Sequence, residues 1–68
     1  MYKMVKVNSS AIAEIGYDRI KETLKVVFNS GSEYEYTGVS EAEYKNFVGA
    51  PSVGRYYNMK IRSRYTTR

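Results

Sequence analysis

The chain contains no cysteine, no histidine and no tryptophan, and its single proline is Pro51. Without cysteine no disulfide framework can form, and with histidine also missing the usual zinc ligand sets are excluded. A chain of 68 residues must therefore fold without the staples that small domains commonly use. The lack of cysteine also fits a reducing compartment. No apolar run approaches the length of a membrane span, roughly eighteen residues. The N-terminal MYKMVKVNSS carries lysines but no unbroken apolar core of a signal peptide, so a cytoplasmic location without membrane attachment is expected. Catalysis loses its commonest general base and its most reactive thiol. No serine has a lysine or carboxylate at a spacing that points to activation. Glu33 and Glu35 fall on one strand face, about 7 Å apart. That spacing suits paired carboxylates or a weak cation site, but more often it marks a solvated face that deters aggregation. No catalytic residue, cofactor or metal is therefore expected.

What the chain has instead is aromatic surface: eight tyrosines and two phenylalanines. Each ring can bury roughly 150–250 Å², and a tyrosine can do so at the rim of a small core with its hydroxyl in water. Charge is unevenly spread. Residues 1–50 carry six basic and seven acidic side chains, a net of −1. Residues 51–68 carry Arg55, Lys60, Arg62, Arg64 and Arg68 with no acid, a net of +5. Basic charge confined to one segment favours a polyanionic partner, unless it serves only solubility.

Periodicity divides one domain, residues 1–68, into strands and then helices. After an extended start, AIAEIGYD alternates with Ala13, Ile15 and Tyr17 on one side. RIKE reads as a charged turn. TLKVVFNS alternates with Leu24, Val26 and Phe28 inward, and NSGS marks a hairpin in which Gly31 takes positive φ. SEYEYTGV follows with Tyr34 and Tyr36 on one face. Ser40-Glu41-Ala42-Glu43 has the form of a capping box, in which Ser40 and Glu43 each bond the other's amide. Val39 and Tyr44 sit at staple positions. Tyr44, Phe47 and Val48 form the helical stripe, Gly49 suits a left-handed C-terminal residue, and Pro51 bars continuation. Ser52 then caps a second helix with Val53, Tyr56, Tyr57, Ile61 and Tyr65 on its apolar face. Arg55, Met59 and Arg62 lie opposite, beside Asn58. Gly54 serves either close backbone packing or close approach of a phosphate. The expected fold is α+β: a three-stranded antiparallel meander followed by two C-terminal helices packed on one face.

Four stretches resemble the KTSC domain family, named for a C-terminal extension of some lysyl-tRNA synthetases and also found as small stand-alone bacterial and phage proteins. They are SSAIAEIGYD, LKVVFNSGSEYEYTGVS, YKNFVGAPSVGRYYN and IRSRY. The central Tyr-x-Tyr, Tyr34 and Tyr36, is that family's mark, and Ser52-x-Gly54 followed by Tyr56-Tyr57-Asn58, Ile61-Arg62 and Tyr65 resembles its C-terminal signature. The chain departs from the family at Val39-Ser40, commonly Val-Pro, and at Tyr57, commonly Phe. The resemblance implies an RNA-binding role.

Binding nucleic acid takes cations for phosphate and flat rings for bases. Arg55, Lys60, Arg62 and Arg64 can neutralise phosphates. Tyr34, Tyr36 and Tyr56 are candidate stacking residues. The tyrosines of strand three cannot be both core and platform. Pairing Phe28 with Tyr34 across the hairpin favours the helix-facing side for both. Asn58 either ties down a loop backbone as a buried amide, the favoured reading, or bonds a base edge beside Arg55. The expected partner is RNA or single-stranded DNA. The alternative is a phage or bacterial module that binds or inhibits a host protein, with Tyr and Arg as anchors. An exposed tyrosine face would also suit a homodimer.

Overall fold

Apolar alternation builds the sheet from its centre outward. In the computed structural model, which describes residues 2–65, β2 (Ile12–Asp18) pairs antiparallel with β3 (Thr23–Phe28). Ile15 stands opposite Val26 and Tyr17 opposite Leu24. The turn between them is held by Asp18, whose Oδ1 accepts from the amides of Ile20 (3.0 Å) and Lys21 (3.1 Å). β4 (Glu33–Tyr36) returns across the NSGS turn. There Gly31 has φ 99°, a conformation glycine adopts without steric cost, and the Phe28 amide donates to the Ser32 carbonyl at 2.8 Å.

The meander expected from the sequence has three strands; the sheet has four, in the order β1-β2-β3-β4. β1 (Lys3–Lys6) pairs along β2, with Lys3 opposite Tyr17 and Met4 opposite Gly16. Four residues, two of them lysines, show no apolar alternation of their own. The strand is held by its partner, and a side chain at Gly16 would collide with the Met4 sulfur. A second correction concerns β2. The register shifts between Ile12 and Glu14, so Ile12, not Ala13, enters the core beside Ile15 and Tyr17. Such a bulge inverts alternation locally. A third concerns the hairpin: Tyr34 lies opposite Val26, and Phe28 meets it diagonally, edge to face at 5.6 Å.

Helix α1 (Glu41–Val48) starts where Ser40 Oγ accepts from the Glu43 amide at 3.2 Å. The reciprocal half of the capping box does not form, because the Glu43 carboxylate is engaged elsewhere. Gly49 is not left-handed; with φ −90° and ψ 0° it closes the helix through its amide to Lys45 (3.1 Å). After Pro51, Ser52 Oγ accepts from the Arg55 amide at 3.4 Å and opens α2 (Val53–Tyr56). The chain continues directly into a π-helical turn, Tyr57–Ile61.

Both helices cover one face of the sheet. Ile12, Ile15, Leu24, Val26, Val39, Phe47 and Ile61 are fully buried there. Tyr17 stacks on Tyr44 at 4.9 Å and donates to the Val39 carbonyl at 2.5 Å, tying the sheet to the start of α1. Tyr57 joins three parts of the core, with ring contacts to Phe28 (5.2 Å), Tyr36 (6.1 Å) and Phe47 (6.5 Å). Its hydroxyl lies 2.5 Å from that of Tyr36. The opposite face carries Lys25, which pairs with Glu33 at 3.0 Å and lies over the Tyr2 ring.

The hydroxyl pair gives a stability test. Tyr36→Phe or Tyr57→Phe alone strands one buried hydroxyl and should cost about 1 kcal/mol. The double variant removes both partners and should cost less than the two single losses together. Urea denaturation of all four proteins measures the coupling; simple additivity would contradict it.

Candidate nucleic-acid interface

The helical segment sorts its side chains by spacing. Val53, Tyr57 and Ile61, four residues apart, enter the core, and this leaves Arg55, Asn58, Met59, Lys60 and Arg62 exposed. The Arg62 amide donates to the Tyr57 carbonyl at 2.8 Å, an i to i+5 bond that widens the last turn. It leaves Asn58 and Arg62 on one rim, facing β4. Among the described residues Arg55, Lys60 and Arg62 form no ion pair.

Two hollows meet at Asn58. One, of about 460 Å³, lies between the Asn8–Ala11 loop and Gly54, Arg55 and Asn58. The other, of about 450 Å³, lies between the helix and β4 and is lined by Phe28, Tyr34, Tyr36, Tyr57, Asn58 and Arg62. The first is pre-shaped by Ser9, whose Oγ accepts from the amides of Ala11 and Ile12, both at 3.2 Å. Asn29 anchors the same loop by donating from Nδ2 to the Ser9 carbonyl at 3.1 Å. The Ser9 hydroxyl lies over Gly54, where an added Cβ would be 3.5 Å from it, an ordinary van der Waals distance, so the loop contact does not itself require glycine there.

The residues singled out from the sequence separate into three groups. Arg55, Asn58, Arg62 and Tyr34 come together along the two hollows, and Tyr34 is 45% exposed. Asn58 is exposed rather than buried, so it is not the buried loop tie expected of it; the Asn8–Ala11 loop is tied by Ser9 and Asn29. Tyr36 is removed from any stacking platform, and Tyr56 is half-buried with one face of its ring covered. Tyr36 is 2% exposed, and burial together with the Tyr57 contact holds its hydroxyl well above the usual phenol range. Tyr56 stacks on Phe47 at 5.6 Å and donates to the Glu43 carboxylate. That bond, then burial, pushes its hydroxyl up to about 12. The tyrosine face that a homodimer would use thus reduces to Tyr34. Arg64 pairs with Glu43 at 3.4 Å and lies over the Tyr65 ring at 5.9 Å. Lys60 stands on the other flank, in an apolar hollow with Ala50, Pro51, Tyr56 and Met59. Arg68 lies outside the described residues.

Sequence reasoning missed the role of Glu43. Its side chain is 11% exposed and accepts from the hydroxyls of Tyr56 and Tyr65, the latter at 3.0 Å. The capping-box motif explains its position but not these partners, which are 13 and 22 residues away. Glu33, considered as half of a carboxylate pair, is bonded to Lys25.

These features define a two-layer α+β domain: an antiparallel four-stranded sheet in sequential order, under one helical layer with a cationic rim. The chain belongs to the KTSC domain family, whose model matches residues 8–65. The solved structure of a KTSC domain protein from Yersinia pestis superposes with a TM-score of 0.95 at 34% identity, covering 100% of this chain and 96% of that one. A protein of Stutzerimonas stutzeri is 32% identical over 63 residues, 93% of this chain and 89% of its own length. A lysine–tRNA ligase of Nostoc punctiforme is 31% identical over 64 residues, 94% of this chain but only 11% of the ligase. Among the described residues no helix is long and apolar enough to cross a membrane.

The buried and half-buried tyrosines set a pH dependence. The hydroxyls of Tyr17, Tyr36, Tyr56 and Tyr65 are all raised in the folded chain, by burial at three of them and by the Glu43 bond first at Tyr56. The unfolded chain, with phenols near about 10, gives up these protons first. Their contribution to stability is therefore intact below about pH 10 and is lost as pH rises through the folded values. The urea midpoint should fall between about pH 9 and pH 12, in step with tyrosinate absorbance. A midpoint that holds constant while the tyrosines ionise would contradict this.

Proposed function

We propose that this domain binds single-stranded nucleic acid, RNA or DNA, without catalysing a reaction on it. One observation carries the reading: Arg55, Asn58 and Arg62 are exposed along one strip that ends at the half-exposed ring of Tyr34. Guanidinium groups without internal carboxylate partners are available to phosphate oxygens. A ring at the end of such a strip offers a base a surface to stack on, worth about 1–3 kcal/mol. The segment's charge supports the same partner, since residues 51–68 hold no acid. The relatives point the same way: part of a lysine–tRNA ligase from Nostoc punctiforme and part of another from Trichormus variabilis resemble this chain. Arg64, already paired with Glu43, contributes less, and Lys60 adds charge from the flank.

A second reading rests on a different surface. The apolar hollow of Ala50, Pro51, Tyr56 and Met59, rimmed by Arg55 and Lys60, suits an apolar anchor on an acidic protein partner, such as a host protein bound by a bacterial or phage module.

Fluorescence anisotropy at two salt concentrations separates the two. Single-stranded RNA or DNA should bind better than duplex DNA. Log affinity should fall with log salt by about 0.7 per phosphate contacted. Arg55→Ala and Arg62→Ala should each remove about one such contact. No binding to any of these nucleic acids at low salt would overturn the proposal. A single protein that co-purifies after nuclease treatment, and is lost on Met59→Asp, would favour the second reading.

A further inference from the structure

We infer that the hollow between the Asn8–Ala11 loop and the second helical segment is a binding site for one phosphate group. The inference rests on the nucleic-acid reading only for the source of that group, a bound strand rather than free phosphate. The hollow, of about 460 Å³, has the loop as one wall and Gly54, Arg55 and Asn58 on the other. Among the described residues that line it there is no aspartate or glutamate. Its one charged side chain is Arg55, which forms no ion pair among the described residues.

Ser9 gives the hollow its hydrogen-bonding sense. A serine hydroxyl has two lone pairs and one proton. At Ser9 both lone pairs are taken, by the amides of Ala11 and Ile12 at 3.2 Å each, so this hydroxyl can only donate. It stands between the two walls, 3.5 Å from where a Cβ on Gly54 would lie. Among the described residues nothing accepts its proton. Ser52 Oγ accepts from the Arg55 amide at 3.4 Å, and its proton likewise has no acceptor among the described residues. A guanidinium can only donate. Ser10 and Asn58, both exposed, make no side-chain bond to another described residue and add donors that can turn to suit a ligand. A ligand that fills the hollow must therefore accept from both walls and carry negative charge. The unesterified oxygens of a phosphate group do both. The donors are side chains, not the amides of α2, which is only four residues long. Asn29, bonded to the Ser9 carbonyl at 3.1 Å, holds the loop in place before any ligand arrives.

Inorganic phosphate, titrated into the whole chain at constant ionic strength and followed by backbone amide shifts, tests the inference. Saturable shifts are expected at Ser9–Ala11 and Gly54–Asn58. Asn58→Asp places a carboxylate at the hollow without changing side-chain size, and Arg55→Ala removes its only charge. Both positions are exposed, so the fold should hold, and each variant should weaken phosphate binding about tenfold or more. Lys6→Ala, which removes one positive charge from the outer sheet face, should leave it unchanged. Chloride giving the same shifts at equal ionic strength, or Asn58→Asp binding phosphate as well as the parent chain, would overturn the site. A single-stranded RNA oligomer then identifies the source: it should move the same amides and be displaced by phosphate. RNA that binds yet leaves these amides unmoved overturns the hollow as its anchor and leaves the rest of the rim intact. If phosphate binds and RNA does not, the site stands for a free phosphate group and the nucleic-acid reading fails.

Discussion

The structure depends on where the ring of Tyr57 sits. It touches Phe28 on β3, Tyr36 on β4 and Phe47 on α1, and its hydroxyl pairs with that of Tyr36. A domain this short buries only about 60% of the surface that its unfolded chain exposes. Without disulfide or zinc to compensate, it concentrates its cohesion in aromatic rings that serve several neighbours at once. Tyr57 does this from the helical segment that bears the cations. Fixing this ring in the core fixes the opposite side of the same segment toward solvent. The position of Arg55, Asn58 and Arg62 is thus a consequence of core packing.

Glu43 completes that arrangement from the other side. It collects the hydroxyls of Tyr56 and Tyr65 and the guanidinium of Arg64. A carboxylate so largely withdrawn from water is tolerable because it is bonded on several sides. The result holds Arg64 and Tyr65 against α1. It also divides the basic segment: Arg64 is internally paired, while Arg55 and Arg62 are not. Charge counted along the sequence overstates the cations that are open to a partner.

Local features were legible in the sequence because their physics is local. Ser40 and Ser52 cap their helices, Gly31 turns the hairpin, and the four-residue spacing of Val53, Tyr57 and Ile61 marks the buried face. Features set by distant partners were not. β1 has little apolar pattern and exists by pairing with β2. The bulge beside Ala13 moves Ile12 inward against strict alternation. Tyr34 and Tyr36 share a face, as a period of two requires, yet one is half exposed and the other buried. How far the helices reach across the sheet decides this, and no two-residue pattern encodes it. Asn58 illustrates the same limit at the site. The reading of a buried tie presumed that Asn58 turns inward, but Tyr57 beside it takes the core position and leaves Asn58 exposed.

The central claim is that the exposed rim of the Tyr57-bearing segment, together with Tyr34, is the surface that meets nucleic acid. Backbone amide shifts mapped during titration with a single-stranded RNA oligomer at low salt test this most directly. Saturable shifts are expected around Ser9–Ala11, Gly54–Asn58, Arg62 and Tyr34, with little change on the outer sheet face at Lys6, Glu14 and Lys25. Shifts centred on that outer face, or none at any ratio of oligomer to protein, would contradict it.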